Sequence, residues 1–436
     1  MLALFIKISA IVILGLLVLF VKKRTNDWLN PFTICAAFFF FPMILATFKL
    51  SLHQVEVWHS STIILLVGST IVWGIYPFLF LTMTKRSKRE QKKAFNIHMN
   101  TFNVNVSILL AVAFCFLYLY ENYQLTGHVL PFLLGGGIIL ETHTLSLPVI
   151  RFITKSSPAI IGLLLISGRN QKKWITSILA LFVFLIPLTR LSRIDTFLSL
   201  LTVILIVYNL GIFKRYKLKK LVIAGTLVGI IGFLSAAGNI RGSHFGKYNF
   251  SYANAIQFTL NPGPAEIFAV IYGYFALPFE SLDRLIRKNP DERLYGAFSL
   301  SPLANSIIEL DKLVDFPTMD TIKEYDNPVM IITGVSTSLA YFYMDFGPIG
   351  ALLPMFVYMS LYLYLYRKKR VSPLLLLLFA LYSSFFSLVA FQAFISNPQA
   401  FRMLMIATVP FFLELFSLRH VKERREKLMW RRLKTL

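Results

Sequence analysis

Acid is what this sequence lacks most: 21 Asp and Glu stand against 44 Lys and Arg in 436 residues. Charge of either sign makes up only 15% of the chain, while 56% is hydrophobic and the mean hydropathy is +0.66. A soluble domain is typically about 45–50% apolar, so this composition excludes one and points to a polytopic membrane protein. Cysteine is nearly missing. Cys35 and Cys115 both sit inside apolar runs, with no metal or redox spacing between them. There is also no glycine-rich phosphate loop of the Walker type, no His/Glu zinc pattern, no paired-Asp motif of a nucleotide-sugar transferase and no nucleophile elbow. Chemistry on this chain is therefore expected without a nucleotide donor, a metal or another cofactor.

What is present is apolar length. Runs long enough to cross a hydrocarbon core, about 20 residues each, fall near 2–21, 29–49, 60–83, 101–120, 149–168, 174–190, 194–213, 221–238, 348–366, 373–394 and 403–418. The expected fold is thus all-α, a helical membrane bundle of about 11 spans. The first run has no basic region ahead of it and no small-residue cleavage site behind it, so it reads as a span and not a signal peptide. A net charge of +23 would suggest nucleic acid in a soluble protein. Here 29 of the 44 Lys and Arg lie in six clusters between spans: Lys22–Arg24, Lys85–Lys93, Arg169–Lys173, Lys214–Lys220, Arg367–Arg370 and the tail Arg419–Lys434. All six fall on one side if the N-terminus is outside and the C-terminus cytoplasmic, which is the positive-inside pattern. Nucleic acid is not an expected partner; membrane lipids are.

The domains follow: spans one to eight over 1–238, a large external loop over 239–336, spans nine to eleven over 337–418, and a basic cytoplasmic tail over 419–436. The loop holds 11 of the 21 acidic residues and 8 of the Lys and Arg, so water-facing chemistry belongs there. Within it, Ser281–Lys288 reads as a short amphipathic helix near the interface, and the NPGP at 261–264 separates two sub-elements. Its Tyr/Phe richness over 248–279, beginning with Tyr248, fits an interfacial belt or a sugar-stacking surface. Between Glu121 and Arg169 the topology is ambiguous. Residues 128–142 read as a re-entrant or half-crossing stretch, because a full crossing would invert every later span, and Arg151 and Lys155 intrude into the fifth run.

Three outer places combine ionisable side chains with the membrane boundary. In TRLSR, Arg190 and Arg193 flank a short turn before Asp195; they either snorkel or pair with Asp195, or they have a task. In NIRGSH, Arg241 joins a planar cationic fork to a glycine that allows close approach, fitting either a phosphate or a salt bridge in the acidic loop; His244 follows as a possible base. In YFYMDFGPIG, Asp345 is either an N-cap carboxylate or a base for a sugar hydroxyl. Arg402, in the NPQAFR turn, completes the outer cations.

At these residues the chain resembles the Wzy-type oligosaccharide repeat-unit polymerases, the bacterial O-antigen and capsule polymerases, whose superfamily includes the O-antigen ligases. SRIDTFLSLLTVILIVY is similar to that family's Ser-Arg pair leading into a central span, matching Ser192 and Arg193. NIRGSH is similar to the arginine opening the large loop, matching Arg241. VSTSLAYFYMDFGPIG is similar to its closing signature, matching Thr337, Asp345, Phe346, Gly347 and Gly350. The likeness spans about 174–366. It departs where Gly334 stands in place of the usual Asn, and where Ser336 and Thr337 replace the ligases' His-Asn pair. The resemblance implies a GT-C-like bundle in a bacterial cytoplasmic (inner) membrane. It implies transfer of the growing glycan from undecaprenyl pyrophosphate to the non-reducing end of a new lipid-linked repeat unit, with a chain-length regulator and a flippase as pathway partners. Arg193 and Arg241 would stabilise the pyrophosphate, joined by Arg190 and Arg402. Asp345 would be the base, with His244 or Glu280 second, and Tyr248 and Thr337 would line the substrate. The rivals are a transporter or flippase of lipid-linked oligosaccharide, for which internal repeats are expected and not found, and a membrane acyltransferase, for which His143 is the one faintly suited residue.

Overall fold

In hydrocarbon a backbone must satisfy its own N–H and C=O groups, so long uncharged runs of Leu, Ile, Val and Phe become helices. The computed structural model follows that rule. It describes residues 2–84, 99–131, 148–168, 172–190, 192–212, 252–259, 266–288, 293–297, 337–390 and 397–434. These are all-helical, with no strand among the described residues and one isolated bridge between Ser51 and Phe258. The helices are α1 (Leu2–Thr25), α2 (Pro31–Ala46), α3 (Ser60–Met83), α4 (Thr101–Thr126), α5 (Pro148–Thr154), α6 (Ser157–Ser167), α7 (Lys173–Arg190), α8 (Arg193–Asn209), α9 (Glu266–Phe275), α10 (Leu277–Lys288), α11 (Ser338–Gly350), α12 (Leu352–Lys368), α13 (Pro373–Phe386) and α14 (Pro398–Lys434).

Five of these, α1, α3, α4, α7 and the first half of α14, are long and apolar enough to cross a membrane. The pair α11 and α12, bent by 112°, makes a sixth if taken as one span. Helices α2, α6, α8 and α13 are apolar but shorter, and the run expected at 221–238 lies outside the described residues. The exposed faces carry large apolar side chains: Phe5 at 69%, Phe116 at 74% and Trp174 at 82% exposure. Such surface is stable only against lipid or another protein.

The chain divides into two units. The first comprises Met1–Ala94, Gly211–Lys368 and Tyr382–Phe401; the second comprises Phe95–Leu210, Lys369–Leu381 and Arg402–Leu436.

In the first unit, α2 and α3 each contain a wide π turn, Ala36–Phe40 and Ile71–Ile75. Each ends just before a proline, Pro42 or Pro77, whose ring displaces the carbonyl behind it and whose missing N–H breaks the regular ladder. The two turns interlock. Phe39 meets Trp73 edge-on at 4.9 Å, and a Cβ on Gly74 would stand 2.8 Å from the Phe40 ring. Phe279 and Phe386 close this core from α10 and α13. Helix α12 runs parallel to α3, with Leu352 against Gly68, the Trp73 indole N–H donating to Met355 O at 3.4 Å, and Tyr76 beside Ser360.

The second unit packs α4 through α8. The expected fifth span is broken into α5 and α6 at Lys155 and Ser156. Thr154 Oγ1 donates to Ile150 O and Ser156 Oγ to Phe152 O, so local hydroxyls bond the carbonyls around the break. Contacts at one end join Ser167 to Met99, Lys172 to Asn105, and Glu414 to Asn100 and Asn103. At the other end Arg190 meets Glu121. Helix α4 therefore climbs from the first end to the second, and α6 descends from the second to the first.

Candidate functional site

The expected site residues fall into separate settings. Arg241, His244 and Tyr248 lie outside the described residues, as do His143, Gly334, Ser336 and the NPGP at 261–264. Arg193 is the first residue of α8.

Arg190 ends α7 in a tight 3₁₀ turn and is buried. Its guanidinium sits 4.2 Å over the Tyr118 ring and 2.8 Å from the Glu121 carboxylate. That approach is off the hydrogen-bond direction, so the attraction there is electrostatic, while the directional bond runs from Nε to Asn122 Oδ1. Asn122 is held in turn, donating to Val129 O at 2.9 Å and to Thr189 Oγ1 at 3.2 Å. The sequence offered Asp195 as the arginine's partner. The structure corrects this: Asp195 accepts from Ser192 Oγ at 2.7 Å at the start of α8. Glu121 is the partner because α4 and α7 run parallel, with their starts joined at Asn105 and Lys172 and their last turns side by side, whereas Asp195 is engaged by the Ser192 hydroxyl. Arg190 is thus neutralised and caged.

Arg402, near the start of α14, is different. Its Nε is buried with no acceptor among the described residues, and its charged neighbour is a second cation, Arg151 of α5. Arg151 and the buried Lys155, one turn further along, look in the sequence like intrusions into a span. They gain meaning only when Arg402, 251 positions beyond Arg151 in sequence, arrives at the same end.

In the first unit, Asp345 is fully buried. It lies in the last turn of α11, not at the start of a helix, so its expected N-cap geometry is not what forms. The reason is Gly347, whose φ of 72° ends α11, while Pro348 suits the first turn of the next arm. The segment 293–297 straps this turn: Leu294 N donates to Met344 O at 2.9 Å and Tyr295 N to Asp345 O at 3.1 Å. Arg293 lies 5.0 Å over Tyr343 and against Gly347, where a Cβ would meet its Nε at 2.8 Å. Thr337 stands at the N-cap of α11 with its hydroxyl buried and without a partner among the described residues.

Glu280 belongs to a brace. The short amphipathic helix expected around Ser281–Lys288 forms as α10, with nearly its whole circumference buried and Arg287 and Lys288 exposed. Glu280 accepts from Val55 N at 3.0 Å and from Arg284 Nε at 3.3 Å, with Lys49 Nζ at 4.0 Å. Asp283 accepts from His59 N at 2.6 Å, Thr62 Oγ1 at 2.7 Å and Arg287 Nε at 2.6 Å. Arg284 and Arg287 donate to the carbonyls of His53 and Val57. Burial pushes the Glu280 carboxyl above its usual range and the Lys49 amine below its own, in each case against the other's attraction. Burial likewise raises the Tyr272 phenol to about 12, and that phenol accepts from Leu50 N. These groups hold the loop 47–59 in place.

Among the described residues no three His, Cys, Asp or Glu side chains gather to hold a metal. No family model matches the chain, and comparison with curated proteins and with solved structures gives no match.

Proposed function

We propose that the chain is a membrane glycosyltransferase, a repeat-unit polymerase acting on polyprenyl-pyrophosphate-linked oligosaccharide. In this reading the C1–O bond from the growing glycan to its lipid pyrophosphate breaks, and a C1–O bond to the non-reducing-end hydroxyl of the incoming repeat unit forms. The hydroxyl proton passes to a base, and lipid pyrophosphate leaves. The bundle would be GT-C-like with about eleven spans, set in a bacterial cytoplasmic membrane with the N-terminus outside.

The observation that carries the reading is how charge is sorted between helix ends. In each unit the ends that adjoin basic clusters lie together. In the first, Phe20 near the end of α1 stacks on Phe78 near the end of α3; in the second, the Met99, Ser167 and Lys172 ends meet. The described part of the acidic segment, α10, sits with the opposite ends, beside Lys49 and the loop 50–59. At the end of the second unit away from the clusters, where positive-inside bias disfavours cations, Arg151 and Arg402 nonetheless occur, beside an Arg190 that Glu121 balances. Cations kept against that bias fit a polyanionic substrate at the lipid boundary, where fixed guanidinium groups stabilise a departing pyrophosphate.

Asp345 is the base in this reading, so the acceptor hydroxyl has to reach the bend at Gly347. A transporter is favoured by one feature, the buried Lys155 at the α5/α6 break, since discontinuous helices recur at transporter sites. One experiment separates the two. Arg241→Ala and Asp345→Asn cells should still export single repeat units but fail to build long chains. Purified protein carrying either change should lose rate by about 10²–10³-fold with lipid-linked repeat units. Export lost together with chain growth would instead support the transporter.

A further inference from the structure

The turn at 294–297 carries a side chain that the architecture does not use. Ala297 N donates to Leu294 O at 2.9 Å, and the residues between them, Tyr295 and Gly296, have φ of 48° and 92°. Positive φ at both central positions marks a type I′ turn, which suits Gly, Asn and Asp. Gly296 is buried and takes the left-handed backbone freely. Tyr295 takes it under strain, because a Cβ there crowds the following carbonyl. The mount is rigid. Leu294 N donates to Met344 O and Tyr295 N to Asp345 O, which fastens the turn to the last turn of α11, and Arg293 behind it packs over Tyr343 and against Gly347. Yet the ring on this mount is 85% exposed and meets no other ring, cation or hydrogen-bond partner among the described residues. Lys49 and Lys172, long side chains on the same kind of backbone, each find an acceptor on the molecule, Val55 O and Asn105 Oδ1.

Backbone strain persists where the surrounding structure holds it and a task uses it. Two tasks fit an exposed tyrosine beside a membrane bundle, a ring among lipid headgroups or a stacking platform. A ring among fluid headgroups gains nothing from a fixed plane. A platform does, because a ring already immobilised loses little freedom when a ligand lands on it. The charge around it points the same way: the segment 239–336 carries 11 acidic against 8 basic residues, which disfavours phosphate-bearing partners and suits an uncharged one. The apolar C–H face of a pyranose is such a partner, and the hydroxyls on its edge suit the phenol. We propose that Tyr295 is a stacking platform for a sugar ring of a glycan, mounted one backbone hydrogen bond from Asp345. That this glycan is the acceptor repeat unit rests on the polymerase reading; the platform itself does not. Tyr295 then holds the acceptor sugar at the bend where Asp345 acts as base, and takes no proton itself.

The test uses the full chain in phosphatidylcholine nanodiscs, labelled and read against an array of immobilised bacterial surface polysaccharides. The wild type should bind at least one glycan of the array. Tyr295→Ala should weaken that binding about tenfold, while Tyr295→Phe and Tyr295→Trp, which keep a ring, should stay within about threefold of the wild type. Tyr295→Asn, which suits the turn, should raise the thermal midpoint by about 1–2 °C and still lose the glycan, so that lost binding is not lost folding. With lipid-linked repeat units as substrate, Tyr295→Ala should raise KM about tenfold. A loss confined to kcat makes the residue a support for Asp345 and overturns the platform. Glycan binding that Tyr295→Ala leaves unchanged, or a wild type that holds no glycan, overturns it as well. So does a midpoint that Tyr295→Ala lowers in nanodiscs but not in detergent, with glycan binding intact, which assigns the ring to the headgroups. Glycan held through Tyr295 by a protein that builds no chains leaves the platform standing and removes the polymerase. Long chains built by Tyr295→Ala at an unchanged KM keep the polymerase and remove the platform.

Discussion

The two units each end in a charged cluster, and the clusters are built on opposite plans. In the first unit, the carboxylates of Glu280 and Asp283 are fully buried, and each meets backbone amides, a hydroxyl or an arginine of its own helix. Three of the four carboxylate oxygens in that brace accept hydrogen bonds, and the fourth, Glu280 Oε2, has Lys49 Nζ at 4.0 Å. In the second unit, Arg190 is balanced by Glu121, while Arg402 faces Arg151 with an unbonded Nε. Residues that look alike in a sequence, ionisable groups near helix ends, therefore divide into carboxylates that fix a loop and cations of the second unit that differ in what balances them. What decides their fate is the balance of donors and acceptors around each group.

The comparison breaks most sharply at Glu121. Replacing it by Ala leaves a buried arginine uncompensated, which costs about 3–5 kcal/mol; the thermal midpoint of the purified protein should fall steeply, and Glu121→Leu with Arg190→Met should recover much of the loss. Asp283→Ala comes next. It orphans His59 N and the Thr62 hydroxyl and should cost about 3 kcal/mol, read by chemical or thermal unfolding and by protease cleavage within 50–59. Glu280→Gln tests the brace by pH. A carboxyl whose folded pKa is raised contributes stability that is present below its unfolded pKa and lost as pH rises through the folded one. The stability of Glu280→Gln relative to wild type should therefore climb as pH rises above the ordinary carboxylate range. The smallest effect belongs to Arg402, whose Nε makes no hydrogen bond among the described residues: Arg402→Gln should change stability by no more than about 0.5 kcal/mol, read by thermal unfolding. A large loss there would place Arg402 in the same class as Arg190.

Much of this plan was legible in the sequence. Apolar length marked α1, α3, α4 and α7, and the ends that meet in each unit, Lys7 over Phe48 or Glu414 beside Asn103, are those that the alternation of spans requires. Prolines 42 and 77 carried the signal for the wide turns, and the Lys-Ser-Ser-Pro stretch at 155–158 carried the break in the fifth run. Partnership was less legible. Glu280 and Asp283 bind the backbone of 55–59, and a backbone acceptor site leaves no mark in residue identity. Arg190 has a sequence neighbour of the right sign in Asp195, but the parallel packing of α4 and α7 delivers Glu121 from 69 positions earlier. The direction of the helix at Asp345 was misread because a Gly-Pro pair serves equally to stop one helix and to start the next.

The interlocked wide turns of α2 and α3 tie the chain's length to its orientation. Each holds one residue more than an ordinary turn. A one-residue deletion anywhere in 36–40 would let α2 rewind and rotate everything after it by about 100°. Lys49 would then leave Glu280, and Phe39 would leave Trp73. The spacing of residues across these two turns is thus a ruler for the loop 47–59, and a deletion in either helix can be tolerated only if its neighbour is shortened to match.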